Sequence, residues 1–133
     1  MISPHQQVIR LVDCDIFGHV NNAIYLTYFE EARITYFKKL LGESWNWNEN
    51  GFIVKKNEIE YVNPLFHWNK IEIEITLSKI GNSSFELNYT IKDLNKNEVT
   101  TTGKSILVYY NHIINQKKSL DKEITNALLK LNP

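Results

Sequence analysis

Between Asn22 and Gly42 the sequence carries a helix that is apolar around most of its circumference. Tyr25, Tyr28, Phe29, Ala32 and Tyr36 recur at three- and four-residue steps. Leu26, Ile34, Phe37 and Leu40 widen that stripe until only a strip through Thr27, Glu31 and Lys38 stays polar. Asn21 or Asn22 supplies a capping side chain at the start. Gly42, just past Leu40 and Leu41, takes the left-handed position that ends a helix. A surface helix shows one apolar face, but this one needs cover on most sides. The rest of the chain has to wrap it.

The rest reads as strands. Val8 to Val12, with Arg10 inside it, is a plausible first strand, and Ile53 to Val62 an imperfect second one closed by Asn63-Pro64. Ile71, Ile73, Ile75 and Leu77 alternate with polar residues, as do Phe85, Leu87, Tyr89 and Ile91. Gly81-Asn82 between those runs predicts a hairpin turn. Asn95-Lys96-Asn97 is the next turn, leading into a strand from about Val99 to Tyr110. A short amphipathic helix, Leu120 to Leu131, ends the chain. One strand, a long helix and four more strands predict an α+β fold with a five-stranded antiparallel sheet curved around the helix. No internal repeat, low-complexity run or linker interrupts residues 1–133, which are expected to form one domain.

Composition narrows the function. Fifteen Lys and Arg balance fifteen Asp and Glu, so no broad charged surface awaits nucleic acid or an anionic membrane. The one cysteine, Cys14, excludes an internal disulfide framework and thiolate-built zinc sites. His5, His19, His67 and His112 are scattered without metal-ligand spacing, so no metal and no cofactor is expected. The first residues are polar with no apolar segment behind them, and no run is long enough to span a bilayer. The expectation is a soluble, cytoplasmic protein.

The segment between first strand and helix carries the chemistry. It reads Asp13-Cys14-Asp15-Ile16-Phe17-Gly18-His19-Val20-Asn21-Asn22 and continues into a tyrosine-rich helix with Glu30-Glu31-Ala32-Arg33. This D-x-D-x-x-G-H-V-N-N run followed by E-E-A-R resembles the 4-hydroxybenzoyl-CoA thioesterase-like family of the hot-dog superfamily. The likeness is strongest over residues 8 to 37. It extends through Tyr61-Val-Asn-Pro64, Ile80-Gly-Asn-Ser-Ser-Phe85 and Thr102-Gly103. The resemblance implies a hot-dog fold and hydrolysis of an acyl-CoA thioester to free acid and CoA, at a site between two subunits. It also implies that Asp15, second Asp of the pair, is the catalytic carboxylate, and that backbone amides around Asn21 to Ala23 face the thioester carbonyl.

Physical chemistry supports those roles independently. A thioester has a good leaving group, so the demanding task is to stabilise the oxyanion while oxygen attacks. A helix N-terminus offers unpaired N–H donors and roughly half a positive charge. Such donors are worth about 2.7–4 kcal/mol each in a transition state. A carboxylate a few residues upstream can act as nucleophile or activate water. Gly18 lets the backbone turn between the two and lets substrate approach closely. The candidate catalytic residues are therefore Asp15, His19 and Asn22. Gly18, Val20, Asn21, Ala23 and Tyr25 are the candidate substrate-binding residues.

Each has a plainer reading. Asp15 could merely cap a turn; His19 orients carbonyl or water, or is a satisfied structural histidine. Asn22 is most simply a helix cap. Asp13 reads as a turn residue or partner of Arg10, and Cys14, whose side chain alternates away from its neighbours, is not expected to be a nucleophile. Glu30 and Arg33, three residues apart, are expected to pair. Glu31 is the reserve carboxylate, because some hot-dog thioesterases place theirs on this helix. Tyr25, one turn in, is core with a face available to an acyl group. Lys55, Lys56, Lys79, Lys104, Lys117 and Lys118 include candidate partners for CoA phosphates.

Three other functions compete. The H-V-N-N run also resembles plant acyl-carrier-protein thioesterases, which use an Asn where Phe17 stands, so a carrier-protein thioester is the alternative substrate. Enoyl-CoA hydratases of this fold resemble D-x-N-P-x-H, whereas Ile16-Phe17-Gly18 separates Asp15 from His19 here. A non-catalytic acyl-CoA-binding protein would not need an intact Asp15. Finally, one sheet curled around so apolar a helix exposes an edge and the open side of its groove, which predicts a homodimer or homotetramer.

Overall fold

The computed structural model describes residues 2–133. Strand β1 (His5–Val8) leads through a 3-10 turn (Leu11–Asp13) to helix α1 (Ile24–Leu41). Strands β2 (Gly51–Tyr61), β3 (Lys70–Ile80), β4 (Ser84–Asp93) and β5 (Glu98–Asn111) follow. A two-residue strand β6 (Gln116–Lys117) and helix α2 (Lys122–Leu129) complete the chain. The strands pair antiparallel in the order β1-β3-β4-β5-β2, with β6 on the end of β5. This is the expected hot-dog architecture of a sheet around a helix, with β6 added as a sixth, minor strand.

Alternation sets which face turns inward. Ile71, Ile73, Ile75 and Leu77 of β3 and Phe85, Leu87, Tyr89 and Ile91 of β4 are all buried. They meet Tyr25, Tyr28, Phe29, Ala32, Tyr36 and Phe37 of α1, also buried. Phe29 stacks on Tyr89 at 4.1 Å between ring centroids. Helix α2 is capped by Asp121, whose side chain accepts the Ile124 N–H at 2.9 Å. It lays Ile124 and Leu128 into the same core. Asn132 then pairs with both main-chain groups of Leu77, at 2.8 and 3.0 Å, and ties the C-terminus to β3.

Two local expectations are corrected. The first strand is not Val8–Val12: β1 ends at Val8 and the chain turns at Ile9. Ile9 is buried, and its amide and carbonyl pair with Asn69 and Trp68 at 2.9 and 2.8 Å. The Asp13 amide then closes on the Arg10 carbonyl at 3.0 Å, which leaves Leu11 and Val12 facing out. Helix α1 starts at Ile24 with Ala23 at the cap position and no side-chain cap. The Asn21 side chain instead accepts the Ala23 N–H at 3.0 Å, one turn before the helix proper, and Asn22 caps nothing. Gly42 does end α1, at φ +86°, its amide on the Lys38 carbonyl at 3.0 Å.

Candidate active site

Asp13 to Asn22 form a tight loop at the entry to α1. Cys14 and Val20 pair as a β-bridge, and the Asp15 amide donates to the His19 carbonyl at 2.7 Å. Gly18, at φ +80°, returns its amide to the Asp15 carbonyl at 3.0 Å, a conformation that favours glycine. The loop is zipped to the segment before β3: the Val20 amide reaches the Leu65 carbonyl at 2.8 Å, and His19 bridges Phe66. The His19 ring meets the Phe66 ring edge-on at 4.8 Å.

Asp15 does two things here. Its Oδ1 accepts the Phe17 and His19 main-chain N–H groups, at 2.9 and 3.2 Å, so it does cap the turn. Its Oδ2 has no hydrogen-bond partner among the described residues. One oxygen holds the loop's shape and the other is left for water or substrate. Asp13 is buried against Tyr28, whose hydroxyl donates to it at 2.9 Å, and pairs with Arg10 at 3.0 Å. That pairing matches the structural role expected for Asp13. The Asp13 carboxylate also raises the Arg10 pKa, by hydrogen bond first and charge second.

Of the three amides expected to face a carbonyl, two are already engaged. The Asn21 amide donates to the Asp13 carbonyl at 2.9 Å and the Ala23 amide to the Asn21 side chain. The Asn22 amide has no partner among the described residues. Asp15, Gly18, His19, Val20, Asn21, Asn22 and Ala23 are brought together at one end of α1. Tyr25 joins them from below: it is 3% exposed, and burial pushes its hydroxyl up to about 12.

Sequence reasoning missed Tyr61. Its hydroxyl donates to the Asn22 carbonyl at 3.1 Å, and its ring meets Tyr25 edge-on at 4.9 Å. It thereby holds the far side of the helix entry from the end of β2. The only prior signal was its place in the Tyr61-Val-Asn-Pro64 stretch, which does not say what it touches. Cys14 has its thiol pushed up by burial, with Asp13 and Asp15 adding to the effect, which disfavours the thiolate a nucleophile needs.

The expected Glu30–Arg33 pair is absent among the described residues, and this is a third correction. Arg33 turns inward and donates to the Tyr89 hydroxyl at 3.0 Å, while Glu30 faces out. The Tyr89 phenol oxygen, buried in the sheet, takes the guanidinium in place of the Glu30 carboxylate. Arg33, Phe37, Trp47, Phe52 and Leu107 line a hollow of about 520 Å³ between α1 and β2. No residue of the Asp15 loop reaches it. Among the described residues, no three His, Cys, Asp or Glu side chains are placed to hold a metal ion, and no helix is long and apolar enough to cross a membrane.

Comparison with known proteins gives the family. The profile of the thioesterase-like superfamily matches residues 9–128. Protein YsmA of Bacillus subtilis is 34% identical over 100 residues, covering 75% of this chain and 67% of its own. A 1,4-dihydroxy-2-naphthoyl-CoA hydrolase of Gloeothece citriformis is 26% identical over 132 residues, covering 96% and 92%. Among solved structures, a thioesterase of Thermus thermophilus in complex with coenzyme A and zinc superposes with a TM-score of 0.82 and 26% identity, covering 96% of this chain and 91% of that one.

Proposed function

Because this chain belongs to the thioesterase-like superfamily, we propose that it hydrolyses an acyl-CoA thioester to free acid and CoA, with Asp15 as the catalytic carboxylate. One observation carries the reading. Asp15 has one oxygen pinned by the loop and one without a partner among the described residues, and the Asn22 amide just before α1 is likewise unengaged. The Asn22 N–H, supported by the helix dipole, receives the thioester oxygen as it gains charge. Asp15 Oδ2 attacks the carbonyl carbon or takes a proton from attacking water, and the thiolate of CoA leaves. His19, edge-on to Phe66, orients the carbonyl or the water. Gly18, Val20, Asn21, Ala23 and Tyr25 shape the approach, and Tyr61 holds it.

The same reading places the site between two copies of a one-domain chain. Strand β2 is an edge of the sheet with Ile53, Val54 and Tyr61 exposed. Two such edges pairing antiparallel about a two-fold axis set the Gly51 end of one beside the Tyr61 end of the other. The apolar hollow near Phe52 in one copy then adjoins the Asp15 loop of the second. We place the activity in the cytoplasm, where CoA thioesters are made and used.

A hydrolysis screen over acyl-CoA and acyl-carrier-protein substrates, with released thiol as readout, tests this. Turnover of CoA thioesters that Asp15→Asn abolishes supports it. Rapid hydration of an enoyl-CoA with saturated acyl-CoA left intact defeats it. A single turnover in heavy-oxygen water then bears on the two roles: label in the protein carboxylate means an anhydride intermediate, and label only in the product favours direct attack by water.

A further inference from the structure

Asp13 carries a full carboxylate into a site 3% exposed, against the side of α1. A charge there is costly unless its partners are well placed. Tyr28, fully buried one turn beyond Tyr25, gives Oδ2 a hydrogen bond of 2.9 Å. Burial pushes the Tyr28 phenol up, and the Asp13 carboxylate raises it further, so the hydroxyl stays a donor at any working pH. Arg10 also reaches both oxygens, at 3.0 and 3.3 Å, but its side chain is 64% exposed and water screens that pair. The Asp13 carbonyl meanwhile holds the Asn21 amide at 2.9 Å. Residue 13 thus joins the helix interior to the last residue before Asn22, and Asp15 lies two residues away.

We propose that Asp13 and Tyr28 form a buried clamp that sets the Asp15 loop against the N-terminus of α1. It rests on the reading of Asp15 as the catalytic carboxylate. The two are positioning residues: neither meets substrate. Contacts within the loop set its internal shape, and the Asp13–Tyr28 pairing anchors that shape to the side of α1. Arg10 seals the clamp from solvent and is dispensable for position.

The test compares Tyr28→Phe, Asp13→Asn and Arg10→Ala by steady-state kinetics and by hydrogen exchange of backbone amides, below the melting temperature of each. Tyr28→Phe and Asp13→Asn should each lower kcat about tenfold or more and leave KM within about threefold, because misplacement affects the reacting geometry more than binding. The amides of Asp15 and Asn21 should lose protection while those of Leu87 and Tyr89 keep theirs. The double variant should be no worse than Asp13→Asn alone, as one interaction cannot be lost twice. Arg10→Ala should change kcat less than about twofold. A folded Tyr28→Phe protein with near-normal kcat overturns the clamp, and so does a fall in kcat with both loop amides still protected. If Tyr28→Phe does not fold, Asp13→Asn, of the same shape as Asp, carries the same two readouts. If the wild-type protein cleaves no thioester, the catalytic reading fails by itself, and amide protection alone decides the clamp.

Discussion

Asp15 Oδ1 accepts the His19 main-chain N–H at 3.2 Å, and the Phe17 N–H at 2.9 Å, so the residue proposed to react is also the one that shapes its own loop. An amide side chain keeps an acceptor in that place and loses only the charge. Asp15→Asn should therefore fold and assemble normally while turnover falls by about 10² or more. Asp15→Ala should lose that activity and in addition about 1 kcal/mol of stability from the two broken turn hydrogen bonds. Thermal melts beside thiol-release assays check both. Glu31→Gln should cost an intermediate amount at most; a dead Glu31 variant beside an active Asp15→Asn would move the carboxylate to the helix.

Gly103 lies under the Phe29 ring that stacks on Tyr89. A Cβ there would stand 2.7 Å from two ring carbons of Phe29 and 2.9 Å from the Glu58 carbonyl oxygen. Phe29 is fully buried and cannot step aside. Gly103→Ala should destabilise by about 1–3 kcal/mol through overpacking. Urea denaturation measures it as a lower midpoint at unchanged slope.

The β2 edge bears on assembly. Light scattering at micromolar protein should give a mass at least twice the 15.6 kDa of one chain. A stable species of one chain would remove the proposed shared site.

Alkaline pH should unfold the protein before its tyrosines titrate normally. Burial raises the phenols of Tyr25 and Tyr109 to about 12, and shifts Tyr28, Tyr36 and Tyr89 in the same direction. A raised folded-state value means the unfolded chain gives up its protons first. The stability these groups provide is complete below pH about 10 and is lost as pH climbs toward 12. Phenolate absorbance and circular dichroism should rise and fall together over that window. Normal titration of Tyr25, Tyr28, Tyr36, Tyr89 and Tyr109 with the fold intact would contradict the burial described for them.

The wrapped helix, the alternating strands and the loop with its carboxylate could be read in the sequence because each rests on a pattern repeated over many neighbouring residues. One misfit in Tyr25–Tyr36 or Ile71–Leu77 would not hide the period. Partner choice for single polar groups was not legible that way. Arg33 meets Tyr89, fifty-six residues away, instead of Glu30. Tyr61 reaches across thirty-nine residues to the Asn22 carbonyl. The Asn21 and Ala23 amides are taken up by the turn before the helix, which leaves the Asn22 amide unengaged among the described residues. Likewise Val8–Val12 has a strand's composition, but the Asp13 amide closes on the Arg10 carbonyl and turns the chain out of the sheet there. The sequence by itself determined the helix, the inward faces of the sheet and the turn-rich loop that carries Asp15, because periodicity and local turn chemistry are properties of adjacent residues. Only the tertiary structure decided that Arg33 meets the Tyr89 hydroxyl and that Tyr61 holds the Asn22 carbonyl, because those partners lie far apart in the chain and meet only after the sheet has closed around the helix.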